Sequence, residues 1–110
     1  MKRGDIYFVS LDPCVGHEQR GHRPVIVLTD EIYNQLTNAP YIAPITNGGA
    51  FAKRNKFSID LEGRGLKTSG IVRCDQIRAL DLMTRSARYV EAASEELIEE
   101  ILDKLTSILY

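Results

Sequence analysis

The run Pro24-Val25-Ile26-Val27-Leu28-Thr29 constrains the fold more than any other stretch of this sequence, because it is apolar at almost every position. A strand with one face in water alternates apolar and polar residues, whereas a strand buried on both faces reads as a continuous apolar run. Its β-branched residues favour extended backbone. A chain holding such a strand must place apolar layers on both sides of it, by curving the neighbouring strands or by closing helices over them. The 110 residues suffice for one core, burying roughly 65% of the surface exposed by the unfolded chain. One domain over residues 1–110 is expected.

The flanking segments supply short partners. Asp5–Leu11 reads as a strand closed by Asp12-Pro13, and a polar loop marked by Gly16 and Gly21 runs on through Arg23. Asp30 is placed to cap a short helix over Glu31–Leu36. Tyr41–Thr46 is another strand, which Pro44 assigns to an edge or a bulge. Phe57–Leu61 alternates apolar and polar residues as a half-exposed strand does. Ala79–Met83 allows a helical turn, and Ala87–Val90 a last short strand. The clearest helix comes at the end. Ser94 is its N-cap, Glu95 and Glu96 complement the helix dipole, and Leu97, Ile98, Ile101, Leu102, Leu105, Ile108 and Leu109 form one apolar stripe, either core or dimer surface. Five short strands, a small helix and an amphipathic terminal helix describe a mainly β, α+β fold: a small, strongly curved barrel or half-open sheet with helices packed on it.

Charge and cysteine content exclude several classes. Fourteen basic and fifteen acidic residues leave a formal charge of −1, so no bulk positive charge steers the chain to nucleic acid. The charges are unevenly spread. After Tyr89 the tail carries Glu91, Glu95, Glu96, Glu99, Glu100 and Asp103 against Lys104, which gives a basic body and an acidic last helix. Cys14 and Cys74 lie far apart without a CxxC spacing and are read as reduced thiols, not as zinc ligands or a disulfide. No apolar stretch has the length of a signal h-region or a membrane span, and a cytoplasmic location is expected.

Two stretches carry candidate chemistry. Ser69–Arg78 is strand-like but holds Arg73 and Asp75, which at a spacing of two should project side by side from one face as an acid–cation pair. An ordinary surface salt bridge, worth about 0–1 kcal/mol, is the plain alternative. The stretch Asn47–Lys56 contains Lys53, Arg54, Lys56 and Phe51, cations for phosphates and a ring on which a base can stack, a composition suited to single-stranded nucleic acid. Its plain alternative is a solvated hairpin loop.

Beyond these readings, the sequence resembles the Kid/PemK branch of the MazF toxin family nearly end to end. The resemblance is carried by Arg3-Gly4-Asp5-Ile6, Leu11-Asp12-Pro13 followed by Gly16-His17-Glu18-Gln19, Arg23-Pro24, Pro44-Ile45-Thr46 and Val72-Arg73-Cys74-Asp75-Gln76. It implies an SH3-like barrel of the MazF, Kid and CcdB type, a homodimer, and a ribosome-independent endoribonuclease that cuts single-stranded RNA without metal or cofactor. It also implies a cognate antitoxin of the MazE, PemI or Kis kind with an acidic disordered tail, and a toxin–antitoxin complex that binds its own operator DNA through the antitoxin. Carried over by position, the catalytic residues fall on His17, Arg73 and Asp75, and the family's basic and polar pair on Arg23 and Thr46. Base-contacting positions fall on Asn47, Asn55, Phe57, Ser69 and Ile71, and Lys53 and Arg54 join them as phosphate contacts. Asn47, Asn55, Ser69 and Ile71 depart from the Kid residue types, which leaves the base preference open. His22 has no motif support and is read as structural.

The implied reaction is attack of an RNA 2′-OH on its own phosphate, and it asks for a base, an acid and positive charge on the phosphorane. Asp75 is the natural base. The resemblance casts Arg73 as the acid, yet a guanidinium gives up its proton reluctantly, which favours a charge clamp; His17 is the more conventional acid, and both assignments stay open. A CcdB-like gyrase poison and an inert SH3-like module are the rival classes. Nothing would require the first to pair Arg73 with Asp75, and the second lacks the aromatic residues of a peptide groove, having no Trp and three Phe.

Overall fold

The computed structural model describes residues 1–11, 21–47 and 56–110. Seven strands are present among them: β1 (Asp5–Ser10), β2 (His22–Val27), β3 (Tyr41–Thr46), β4 (Ser58–Asp60), β5 (Ile71–Arg73), β6 (Arg78–Ala79) and β7 (Arg88–Ala92). Two helices accompany them, α1 (Glu31–Thr37) and α2 (Glu95–Leu109). The sheet is antiparallel with order β4-β5-β3-β2-β1-β7, and β6 adds to β3.

The apolar run lies on β2 and just beyond it, with core on both sides. Ile26 and Leu28 join Ile6, Ile45, Val72, Leu97, Ile101 and Leu105 in a core beneath α2. Val25 and Val27 join Val9, Leu11, Ile42, Leu80 and Leu82 in a second core on the other face. Each face thus removes apolar surface from water, the dominant favourable contribution to folding. The α2 stripe divides: Leu97, Ile101 and Leu105 are buried, whereas Ile108 and Leu109 in the last turn stay exposed. Ser94 and Asp30 cap the two helices, each accepting from a backbone N–H three residues on.

Three expectations change. β2 starts at His22, not after Arg23, because His22 and Arg23 pair with Ser10 and Val9. Arg78–Ala79 is a strand, and the segment after it is a turn in which the Asp81 carboxylate accepts from the Met83 and Thr84 amides, rather than a helical turn. The long strand expected over residues 69–78 is broken. Four residues of β3, from Ile45 back to Ile42, face seven on the partner side, from Val72 to Arg78, so three residues are looped out. Pro44 sits in β3 between those two pairings, at a bulge in an inner strand and not at an edge.

The sheet's two ends, β4 and β7, share no strand pairing and are joined through a side chain. Glu91 on β7 accepts hydrogen bonds from the Lys67 and Thr68 amides and from the Thr68 hydroxyl, tying the β4–β5 connection to β7. Among the described residues no helix is long and apolar enough to cross a membrane.

Candidate active site

The broken ladder creates the site. β5 ends at Arg73, the Gln76 amide donates to the Arg73 carbonyl at 3.1 Å, and Asp75 rides on the resulting turn. Arg73 and Asp75 therefore meet across a turn, not by alternation along one strand. The fork is bidentate: Arg73 Nε donates to Asp75 Oδ1 at 3.0 Å and Nη2 to Oδ2 at 2.9 Å. The two side chains are only 14% and 25% exposed, so the pair is partly shielded from water and still within reach of a ligand. The bond to Asp75 raises the Arg73 pKa further above its ordinary value, against the opposing effect of burial. Its proton is thus held more firmly than usual, which favours a cationic clamp over an acid. Between the two, Cys74 points into the core, and burial together with the Asp75 charge pushes its thiol up to about 11. A protonated, buried thiol is no nucleophile.

A second group surrounds a cleft of about 340 Å³ lined by Phe8, His22, Arg23, Pro24, Ile45, Asn47, Thr68, Ser69 and Val90. Arg23, Asn47 and Ser69 are thereby brought together as expected. Thr46 is buried and pairs with Ile71, which links this cleft to the strand that ends at Arg73. Ile71 as a whole residue is only 2% exposed and pairs with Thr46 on one side and Asp60 on the other, so it presents little surface for the expected base contact. Phe57 is half-buried with the Lys56 ammonium 5.1 Å from its ring centre, and its carbonyl accepts from the Cys74 amide at 3.1 Å. That places it beside the Arg73–Asp75 turn. His17, Lys53, Arg54, Asn55 and Cys14 lie outside the described residues.

Gly70 makes the junction between β3 and β5 possible. Its φ is +123°, and a Cβ there would stand 2.6 Å from the Thr46 carbonyl oxygen. Only glycine lets the Ser69–Ile71 backbone approach β3 so closely. Sequence reasoning missed other residues of the cleft. His22 is exposed on its rim and stacked on Phe8 at 5.9 Å, with the Arg88 guanidinium 5.6 Å from the Phe8 ring centre. β1 is apolar from Ile6 to Val9 and Phe8 shares a face with buried Ile6, so no alternation singles Phe8 out. No local signal marked Thr68 or its partner Glu91.

An antiparallel sheet of seven strands with a C-terminal helix is the fold of the MazF-type class. The chain belongs to it: the family profile described as PemK-like, MazF-like toxin of type II toxin-antitoxin system matches residues 2–109. Among curated relatives, the endoribonuclease PemK of Escherichia coli is 44% identical, with 99% of this chain and 82% of the relative covered. The endoribonuclease toxin ChpB of Escherichia coli K12 is 40% identical, with 98% and 93% covered. The crystal structure of MazF from Deinococcus radiodurans superposes with a TM-score of 0.88 at 32% identity, covering 99% of this chain and 96% of that one. A MazE–MazF complex from the same organism gives 0.82 at 32% identity, covering 99% and 95%.

Proposed function

We propose that this protein is the toxin of a type II toxin–antitoxin pair and an endoribonuclease that cuts single-stranded RNA by 2′-OH attack. The observation that carries the reading is the bidentate Arg73–Asp75 fork, lifted out of the β3 ladder on a turn at the end of the strand whose Ile71 pairs with Thr46. Asp75 takes the 2′-OH proton, since an ionised carboxylate can only accept. Arg73 offers a planar fork to two phosphorane oxygens. The proton for the leaving 5′-oxygen comes from His17, the more conventional acid, or from Arg73, to which the resemblance gives that role. Arg23, Asn47 and Ser69 line the cleft that would take a neighbouring nucleotide, with Thr46 buried behind it, and Lys53, Arg54, Asn55 and Phe57 complete the track. The relatives named above support the RNA-cutting reading, and no observation favours the gyrase-poison class.

The same reading includes a homodimer, supported by the exposed Ile108 and Leu109 at the end of α2. It also includes an antitoxin, supported by the solved MazE–MazF complexes. Its acidic, partly disordered tail would lie over Arg23, Lys53, Arg54 and Arg73, where a charge-matched mimic covers a phosphate groove. Operator binding would follow through the antitoxin, and the setting would be cytoplasmic. The test is direct. Purified protein in EDTA should cut a synthetic single-stranded RNA to fragments ending in a 2′,3′-cyclic phosphate and beginning with a 5′-hydroxyl. Intact RNA after long incubation with folded protein would contradict the reading.

A further inference from the structure

We infer that Glu91, on a strand remote in sequence from the fork, is a positioning residue that fixes one wall of the RNA cleft and thereby sets which base is accepted. The inference rests on the endoribonuclease reading above and deepens it. Glu91 Oε1 accepts from the Lys67 amide at 3.0 Å, and Oε2 accepts from the Thr68 amide and the Thr68 hydroxyl, both at 2.7 Å. All three partners are donors, so the position demands a group that only accepts, and a carboxylate is that group. Bonds to an ionised acceptor are roughly twice as strong as neutral ones.

The contact matters for the cleft because both its ends belong there. Thr68 and Ser69 form one wall, and Val90, next to Glu91 in the chain, lines the same space. Residues 62–69 pair with no strand, so no ladder sets their path. Their first half is held by the Leu61 amide on the Gly70 carbonyl at 3.0 Å, by the Arg64–Glu100 ion pair and by Leu66 packed on the core, whereas Lys67 and Thr68, at the cleft, are held by Glu91. Removing the Glu91 hold loosens Lys67–Ser69 at the cleft while leaving the Arg64 and Leu66 anchors, and Arg73 and Asp75, in place. A carboxyl that merely stapled the sheet ends would affect melting temperature alone; one that positions the cleft affects substrate selection as well.

The experiment compares wild type, Glu91→Gln, Thr68→Val and Thr68→Ser on a pool of synthetic single-stranded RNAs of varied sequence. It reads kcat, KM, the ratio of the rates at the preferred and the next-preferred site, and amide hydrogen exchange at Lys67 and Thr68. An amide at position 91 turns an N–H toward one of the donors, so Glu91→Gln should speed exchange at both amides. KM should rise and the preference ratio should fall, each about tenfold, the range for one lost specificity contact, with kcat changing far less. Thr68→Val should weaken preference, and Thr68→Ser, which keeps the hydroxyl donor, should restore it. Wild-type KM and preference in folded Glu91→Gln, or a change confined to melting temperature, overturns the inference. If Glu91→Gln fails to fold, wild-type preference in Thr68→Val overturns it equally. A wild type that cuts no RNA fails the endoribonuclease reading itself, whereas a cutting wild type with insensitive variants fails this inference alone.

Discussion

Gly70→Ala should be among the most damaging single-methyl additions in the protein. At φ +123° the new Cβ would meet the Thr46 carbonyl oxygen at 2.6 Å and Ile45 Cγ2 at 3.2 Å. The Thr46 oxygen belongs to the backbone of β3 and cannot swing aside as a long side chain could. Backbone strain at such a residue costs of order 1–3 kcal/mol, and relieving the contact requires moving Ser69–Ile71 away from β3. A total of about 3 kcal/mol, at roughly 4 °C per kcal/mol for a chain of this size, lowers Tm by about 12 °C. Gly63→Ala is the control: its φ is +76° and nothing lies within 4 Å of the added carbon, so only the left-handed cost of about 1–2 kcal/mol applies. Thermal and urea unfolding of both variants measures the difference. Equal losses in the two, or a drop below about 4 °C for Gly70→Ala, would refute the close-approach argument.

Arg73→Lys keeps a positive charge but cannot span two oxygens, so RNA binding by filter retention should fall far less than the cutting rate; parallel losses would count against the clamp. Burial raises the Glu91 pKa, but the hydrogen bonds from the Thr68 side chain and from the Lys67 and Thr68 amides outweigh it, and the net shift is downward. A carboxyl with a depressed folded-state pKa adds stability above its unfolded value and loses it as pH falls through the folded one. The advantage of wild type over Glu91→Gln should therefore be full at neutral pH and vanish in acid, and a gap that widens on acidification would contradict this. Cys74, buried and held near 11, should resist a maleimide in a Cys14→Ser background until denaturant unfolds the chain; labelling of folded protein at the rate of a free thiol would disprove its burial.

How far the sequence discloses the protein depends on how local each cause is. The two-faced burial of β2 is legible because an uninterrupted apolar run of that length fits few environments besides a doubly covered strand. The caps at Asp30 and Ser94 are legible because each cap and the amide it accepts from are three residues apart. The start of β2 is not. His22 and Arg23 look like loop residues, and only their register against Ser10 and Val9 makes them strand. The Arg73–Asp75 partnership follows from the sequence for the wrong geometric reason, since alternation cannot register three looped-out residues that bring Asp75 round on a turn. The Thr68–Glu91 contact spans 23 residues and joins two ends of a sheet, so no periodicity reports it. The resemblance implies a base contact at position 71, where the residue departs from the Kid type, yet Ile71 is buried in the core.

The decisive quantity is the cutting rate of Asp75→Asn in EDTA, measured beside its affinity for an uncut RNA and its unfolding curve. The variant preserves shape while removing the proton acceptor, so cutting should fall by about 10²–10⁴-fold, the usual loss for a general acid or base. Affinity should hold or rise, because a negative charge has left a phosphate site. A folded Asp75→Asn protein that cuts at near wild-type rate would reduce the Arg73–Asp75 fork to a structural salt bridge.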